Sequence, residues 1–299
     1  MGTIHIGISG WRYEPWRGVF YPDDLRQDDE LAFASRALSS IELNGSFYAL
    51  QKPESYAQWY QATPKGFVFS VKGNRFITHV RRLNDIDGPL ANVLASGAFN
   101  LREKLGPFLW QFPPNFKFEP DRMERFLSLL PHDTDEGLAR ARQYEARMEG
   151  KVALDVDKKR KLRHAVEIRH DSFIDEAFIA LLRKYKVALV VADTARSWPY
   201  YEDVCADFMY LRLHGDKELY ASGYSDEALD RWAERSGAWS AGAQPDDARL
   251  ISGKAGPKKA SRDVFCYFDN DVKVRALFDA QRLIEKLRLL SGTTTARES

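Results

Sequence analysis

Three short pairs carry the chemistry of this chain: Glu42 with Asn44, Glu167 with Arg169, and Arg212 with His214. Each is spaced i, i+2, which on a β-strand places both side chains on one face. Their neighbours are apolar: Ile41 and Leu43, Val166 and Ile168, Leu211 and Leu213. Such alternation turns the apolar set toward a packing layer and the polar set to the opposite face. A buried carboxylate such as Glu42 is costly unless it is paired, and cations from other strands would neutralise it.

Other strand-like runs end on polar residues that could join the same set. Trp11 follows IHIGISG, Tyr48 follows SIELNGSF, and Lys72 ends FVFSVK. Gln111 falls in PFLWQF, Asp193 ends VALVVAD, and Asn270 lies just past VFCYF. Lys72, Arg169 and Arg212 would oppose Glu42, Glu167 and Asp193, and arginine's planar fork suits a phosphate or carboxylate. Glu42 and Glu167 could serve as general acid and as base or nucleophile, with His214 the alternative proton carrier. Trp11, Trp16, Tyr48, Trp198, Tyr200 and Tyr201 could wall a sugar ring or a base, or simply pack. The competing reading is a buried ion network with no chemistry.

Eight runs must position these groups: residues 4–9, 40–47, 67–72, 107–112, 164–169, 187–193, 208–215 and 264–268. Helical patterns alternate with them at 28–39, 53–63, 85–106, 171–186, 225–239 and 270–290. The alternation predicts an α/β fold, a single-domain TIM-type (β/α)8 barrel over residues 1–290, with a doubly wound open sheet as the rival. The polar residues then gather where strands exit, at the C-terminal mouth of the barrel. No G-x-G-x-x-G opens a helix after a strand and no Walker A loop occurs, so a nucleotide cofactor has little support and no cofactor is expected. Residues 113–163 form a long charged connection between strands four and five. Residues 240–262 read as a mobile loop or hairpin, and 291–299 as a disordered tail.

The totals set outer bounds. At 299 residues the chain can form one large α/β domain or two modest ones, and its net charge of +1 gives no global pull toward nucleic acid or membrane. Cys205 and Cys266, far apart, suggest reduced thiols. With no membrane-spanning window and no signal-peptide pattern at the N-terminus, a cytoplasmic protein is expected. Six histidines, of which only His214 is well placed on a strand exit, argue against a multi-metal nuclease or isomerase centre, and no metal site is assigned. The basic run Lys158 to Arg163, with Arg140, Arg142 and Arg147 upstream, could mark nucleic-acid binding. It precedes strand five, however, at the opposite end of the barrel, where a solvated charge run is the simpler account. The reading left in front is a hydrolase or lyase acting on a small anionic ligand, without a tightly held metal.

The chain also resembles the domain-of-unknown-function 72, or YecE-like, family. GISGWRYEPWRGVFYP (7–22), IELNGSFYALQKPESYAQWYQATPKGFVFSVK (41–72), LWQFPPNF (109–116), AVEIRHDSF (165–173), YLRLHG (210–215) and YFDNDVKVRALFDAQRL (267–283) carry the resemblance. It implies a TIM-type barrel and no established activity. The family's recurrent polar positions map onto Trp11, Glu42, Asn44, Tyr48, Lys72, Gln111, Glu167, Arg169, Arg212, His214 and Asn270. Asp269 stands where the family commonly has Asn, and Asp279 where it often has Asn before Ala.

Overall fold

Eight parallel strands close into a barrel in chain order, each hydrogen-bonded to the next and β8 to β1. They are β1 (Ile4–Ser9), β2 (Ser40–Leu43), β3 (Val68–Lys72), β4 (Leu105–Gln111), β5 (His164–Glu167), β6 (Ala188–Asp193), β7 (Phe208–Leu213) and β8 (Asp263–Phe268). The computed structural model describes residues 1–271 and 274–290, so the expected tail at 291–299 lies outside the described residues. Closure removes the rival open sheet.

Nine α-helices lie along the described chain: α1 (Glu30–Ala37), α2 (Gly45–Tyr48), α3 (Pro53–Ala62), α4 (Asp87–Ala95), α5 (Pro120–Leu129), α6 (Thr134–Ala141), α7 (Glu176–Lys184), α8 (Asp226–Ser240) and α9 (Ala276–Leu290). The single helix expected over 85–106 is broken after α4 by Gly97, at φ 109°, and continues as a 3-10 segment. A Cβ there would stand 2.5 Å from Pro53 Cα, so the close approach of α3 fixes both the residue and the break. The predicted strand 40–47 ends at Leu43, because Gly45–Tyr48 turns into α2.

Alternation along each strand divides the buried residues into two bodies. Ile41, Leu43, Val166, Ile168, Leu211 and Leu213 belong to the large layer between barrel and helices. A smaller cluster fills the barrel itself, with Leu109, Ala165, Ala188, Val190, Ala192, Phe208, Tyr210, Phe265 and Tyr267. At its base His5 stacks on Phe265 with centroids 4.9 Å apart. One layer higher, Tyr267 OH meets Ser40 Oγ at 2.8 Å and Tyr210 OH meets Ser70 Oγ at 2.7 Å. The interior therefore changes from hydrocarbon to hydroxyl to charge along its axis. Residues 241–262 form no hairpin: the segment is coil, held by Asp203, whose carboxylate accepts from the Ile251 and Ser252 backbone N–H groups and from Ser252 Oγ.

Candidate functional site

Arg212 is the hub of the charged layer. It points inward from β7, and its side chain is fully buried. Its Nε and Nη2 donate to Glu42 Oε2 at 3.0 Å and Oε1 at 2.8 Å. Nη1 donates to Glu167 Oε2 at 2.8 Å, and Nη2 also reaches Asp269 Oδ2 at 2.8 Å. Neutralised on three sides, the guanidinium keeps its proton at any working pH: burial opposes the charge, but Glu42 and Glu167 outweigh it.

The carboxylates are equally occupied. Glu42 further accepts from Ser9 Oγ and from Tyr210 OH, each at 2.7 Å. Glu167 Oε1 accepts from Gln111 Nε2 at 2.9 Å and Arg169 Nε at 2.8 Å. Burial would raise the Glu167 pKa, but Arg169 and Arg212 pull it well below the usual range. Asp269 behaves likewise: against burial, Arg212 and His214 hold it at about 2. His214 places Nε2 3.4 Å from Arg212 Nη1 and Nδ1 3.2 Å from Asp269 Oδ2. Since a guanidinium only donates, Nε2 presents its lone pair and the ring proton sits on Nδ1. Burial, then Arg212, lower the His214 pKa and keep the ring neutral.

Above this lattice the mouth is lined by cations and rings. Arg169 lies 3.7 Å from the Trp198 ring centroid, with Tyr220 OH 3.5 Å from its Nη2. Lys72, 8 % exposed, sits 4.6 Å over the Phe47 ring. Its ammonium makes no hydrogen bond or ion pair among the described residues. Burial and then Arg212 bring its pKa down to about 8, outweighing the opposing pull of Glu42 and Glu167. His79, on the turn Phe76–Val80 that follows β3, packs edge-on against Phe47 and is lowered to about 4 by burial and then Arg169.

Not every expected residue lies in this cluster. Glu42, Lys72, Gln111, Glu167, Arg169, Arg212 and His214 do, and Asn44 joins it by donating to Ser9 Oγ at 2.8 Å. Trp11 and Asn44 also line a shoulder cavity of about 470 Å³ beside Gln58 and Trp59. Tyr48 is 70 % exposed and meets the site through an edge contact with Phe47. Asp193 must be corrected as a partner of the central cations. The inner face of β6 carries Ala188, Val190 and Ala192, so Asp193 turns outward and accepts from Tyr224 OH at 3.2 Å. The acid that faces Arg212 from β8 is Asp269. Asn270, one residue on, points away and donates to Ser222 O and Asp279 Oδ2, tying the strand exit to α9.

Sequence reasoning left Ser9 and Asp269 outside the set, although each sits two residues from an inward neighbour and the same alternation would have found them; Tyr210 shares that spacing with Arg212 but reads as a packing residue. For His79 there was no such signal. Among the described residues no group of three or more His, Cys, Asp or Glu side chains is arranged to hold a metal ion. No described helix is long and apolar enough to cross a membrane. The basic run before β5 is largely neutralised: Lys159 pairs with Asp133, Arg160 with Asp157, Lys161 with Asp207 and Arg163 with Asp263.

A closed parallel barrel with an arginine-centred ion lattice at the C-terminal ends of its strands defines the class. The chain belongs to the family described as protein of unknown function DUF72, whose model matches residues 5–298. It is 30% identical over 118 residues to the UPF0759 protein YunF of Bacillus subtilis, a match covering 38% of this chain and 41% of that protein. It is 27% identical over 136 residues to the UPF0759 protein YecE of Escherichia coli K12, covering 45% and 47% respectively. These matches span less than half the length of either relative. Among solved structures, a DUF72 family protein from Thermotoga maritima MSB8 superposes with a TM-score of 0.68 at 23% identity, covering 96% of this chain and 99% of that one. A DUF72 family protein from Enterococcus faecalis V583 gives 0.65 at 17% identity, covering 96% of both chains. At those identities the likeness shows the fold.

Proposed function

We propose that the barrel mouth is the active centre of a hydrolase- or lyase-type enzyme for a small, anionic, polar substrate. One observation carries the reading: beside a lattice in which Arg212 and its carboxylates are saturated, Lys72 holds an ammonium with no counter-ion at ion-pair distance among the described residues. A bound anion would supply that counter-ion. Arg169, fixed by Glu167 and by the Trp198 ring, offers its remaining N–H groups to the same anion. The saturation of Glu42 and Glu167 suits them to hold the arginines rather than to exchange protons. Lys72 is the better proton carrier, since a pKa of about 8 keeps both its forms populated near neutral pH. Calorimetric titration with inorganic phosphate tests the site. Lys72→Met and Arg169→Ala are each expected to weaken binding at least about tenfold, the value of one charge-assisted hydrogen bond, with folding retained. Unchanged affinity in both variants overturns the reading.

The saturated lattice itself favours a second role that coexists with the first. Arg212, Glu42 and Glu167 tie β7, β2 and β5 together across the barrel, and that part is structural.

A further inference from the structure

Outside β6 lies a second cavity, of about 520 Å³. It is distinct from the Arg212 lattice but shares a wall with the mouth: Trp198 lines it, and Arg169 covers that ring. Three exposed arginines, Arg196, Arg231 and Arg249, belong to its lining. Among the described residues Arg196 and Arg231 have no carboxylate within ion-pair distance. Arg249 donates from Nη2 to Tyr201 OH at 3.3 Å and lies 4.7 Å over the Tyr201 ring. Asp171 and Asp193 are the acids of its lining, and burial raises the Asp193 pKa to about 6. Trp198, Tyr200 and Trp232 supply ring surfaces.

The turn that carries Arg196 is held in an uncommon form. Ser197 N donates to Thr194 O at 2.9 Å, while Ala195 and Arg196 take φ of 47° and 69°. Two successive left-handed residues make a type I′ turn, which ordinarily takes Asn-Gly; Ala-Arg adopts it under strain. The turn thus holds Arg196 beside Arg231 and Arg249, and among the described residues none of the three has a carboxylate within ion-pair distance.

We propose that this cavity is a subsite for a sugar phosphate, free or within a nucleotide. The three arginines receive the phosphate, Asp193 accepts a sugar hydroxyl, and Trp198 and Tyr200 flank the ring. The inference rests on the anionic substrate proposed for the mouth, and through Trp198 it extends the same ligand into a second compartment.

The test is calorimetric titration with ribose 5-phosphate, ribose and adenosine monophosphate. The proteins are the wild type, the triple variant Arg196→Ala, Arg231→Ala, Arg249→Ala, and Arg169→Ala. The three arginines are exposed, so the triple variant is expected to fold as the wild type, checked by its thermal transition. It is expected to bind ribose 5-phosphate at least about tenfold more weakly, and ribose is expected to bind far more weakly than its phosphate. Weakening in the triple variant with none in Arg169→Ala keeps the subsite and rejects the mouth. Weakening in Arg169→Ala with none in the triple variant rejects the subsite and keeps the mouth. Absence of saturable binding of either phosphate ester to the wild type, or equal affinity for ribose and its phosphate, also overturns the subsite. Tighter binding of adenosine monophosphate than of ribose 5-phosphate assigns the nucleotide as the source; equal affinities assign the free sugar phosphate.

Discussion

Arg212 and Glu42 meet fork to fork inside the barrel, Nε to Oε2 at 3.0 Å and Nη2 to Oε1 at 2.8 Å, with both side chains fully buried. Removing one partner leaves an uncompensated buried charge. Glu42→Ala is therefore expected to cost about 3–5 kcal/mol in denaturant unfolding. Glu42→Gln, which keeps most contacts, is expected to cost less. Combining Glu42→Gln with Arg212→Met is expected to be less destabilising than the sum of the two changes, because the second relieves what the first exposed. Strict additivity would show that the pair is not energetically coupled.

Tyr210 donates to Glu42 and contacts Ser70. Tyr210→Phe leaves the ring in place and strips one donor from a buried carboxylate. Its expected cost is about 1–3 kcal/mol with an unchanged denaturant slope. A change within a few tenths of that of a surface control would show that the hydroxyl layer does not support the lattice.

Lys72 should write itself into the pH dependence of stability. Its folded pKa of about 8 lies below the ordinary 10.5, so between those values the unfolded chain keeps a proton that the folded chain has lost. Stability then rises with pH across that window, and below pH 8 the buried charge opposes folding in full. Lys72→Met is thus expected to be more stable than the wild type near neutral pH, by up to about 3 kcal/mol, the worth of that shift. The difference should close as pH approaches 10.5. Asp271, raised by burial to about 8, changes the curve of both proteins alike and cancels in the comparison. A difference independent of pH would contradict the depressed lysine.

Asp269 has the opposite sign. Held at about 2 against an ordinary 3.8, it contributes stability that is present above pH 3.8 and lost as pH falls through about 2. Asp269→Asn is expected to flatten acid unfolding in that range. It should also lower the His214 pKa further, because the Asp269 carboxylate is the largest influence raising it. Imidazole NMR titration would read this directly, and an unchanged His214 would separate the two residues electrostatically.

The barrel and much of its charged layer were legible because period-two alternation survives in β2, β5 and β7. There Glu42, Glu167 and Arg212 interrupt apolar neighbours and mark the inner face. β6 gives no such mark: Ala188, Val190 and Ala192 inside and Leu189 and Val191 outside are all apolar, so nothing in ALVVAD told which way Asp193 turns. Tyr210 was hidden for a related reason, since a tyrosine in a strand reads as packing. His79 reaches the mouth through a π-type turn that has no pattern in sequence. The helix break at Gly97 depends on the approach of Pro53, a contact between distant segments.

The most direct measurement is the NMR titration of the Lys72 side-chain amine, with and without inorganic phosphate. A midpoint near pH 8 that moves upward when phosphate is added is expected, because a bound anion favours the charged amine. An ordinary midpoint near 10.5, indifferent to phosphate, would contradict the anion-binding mouth.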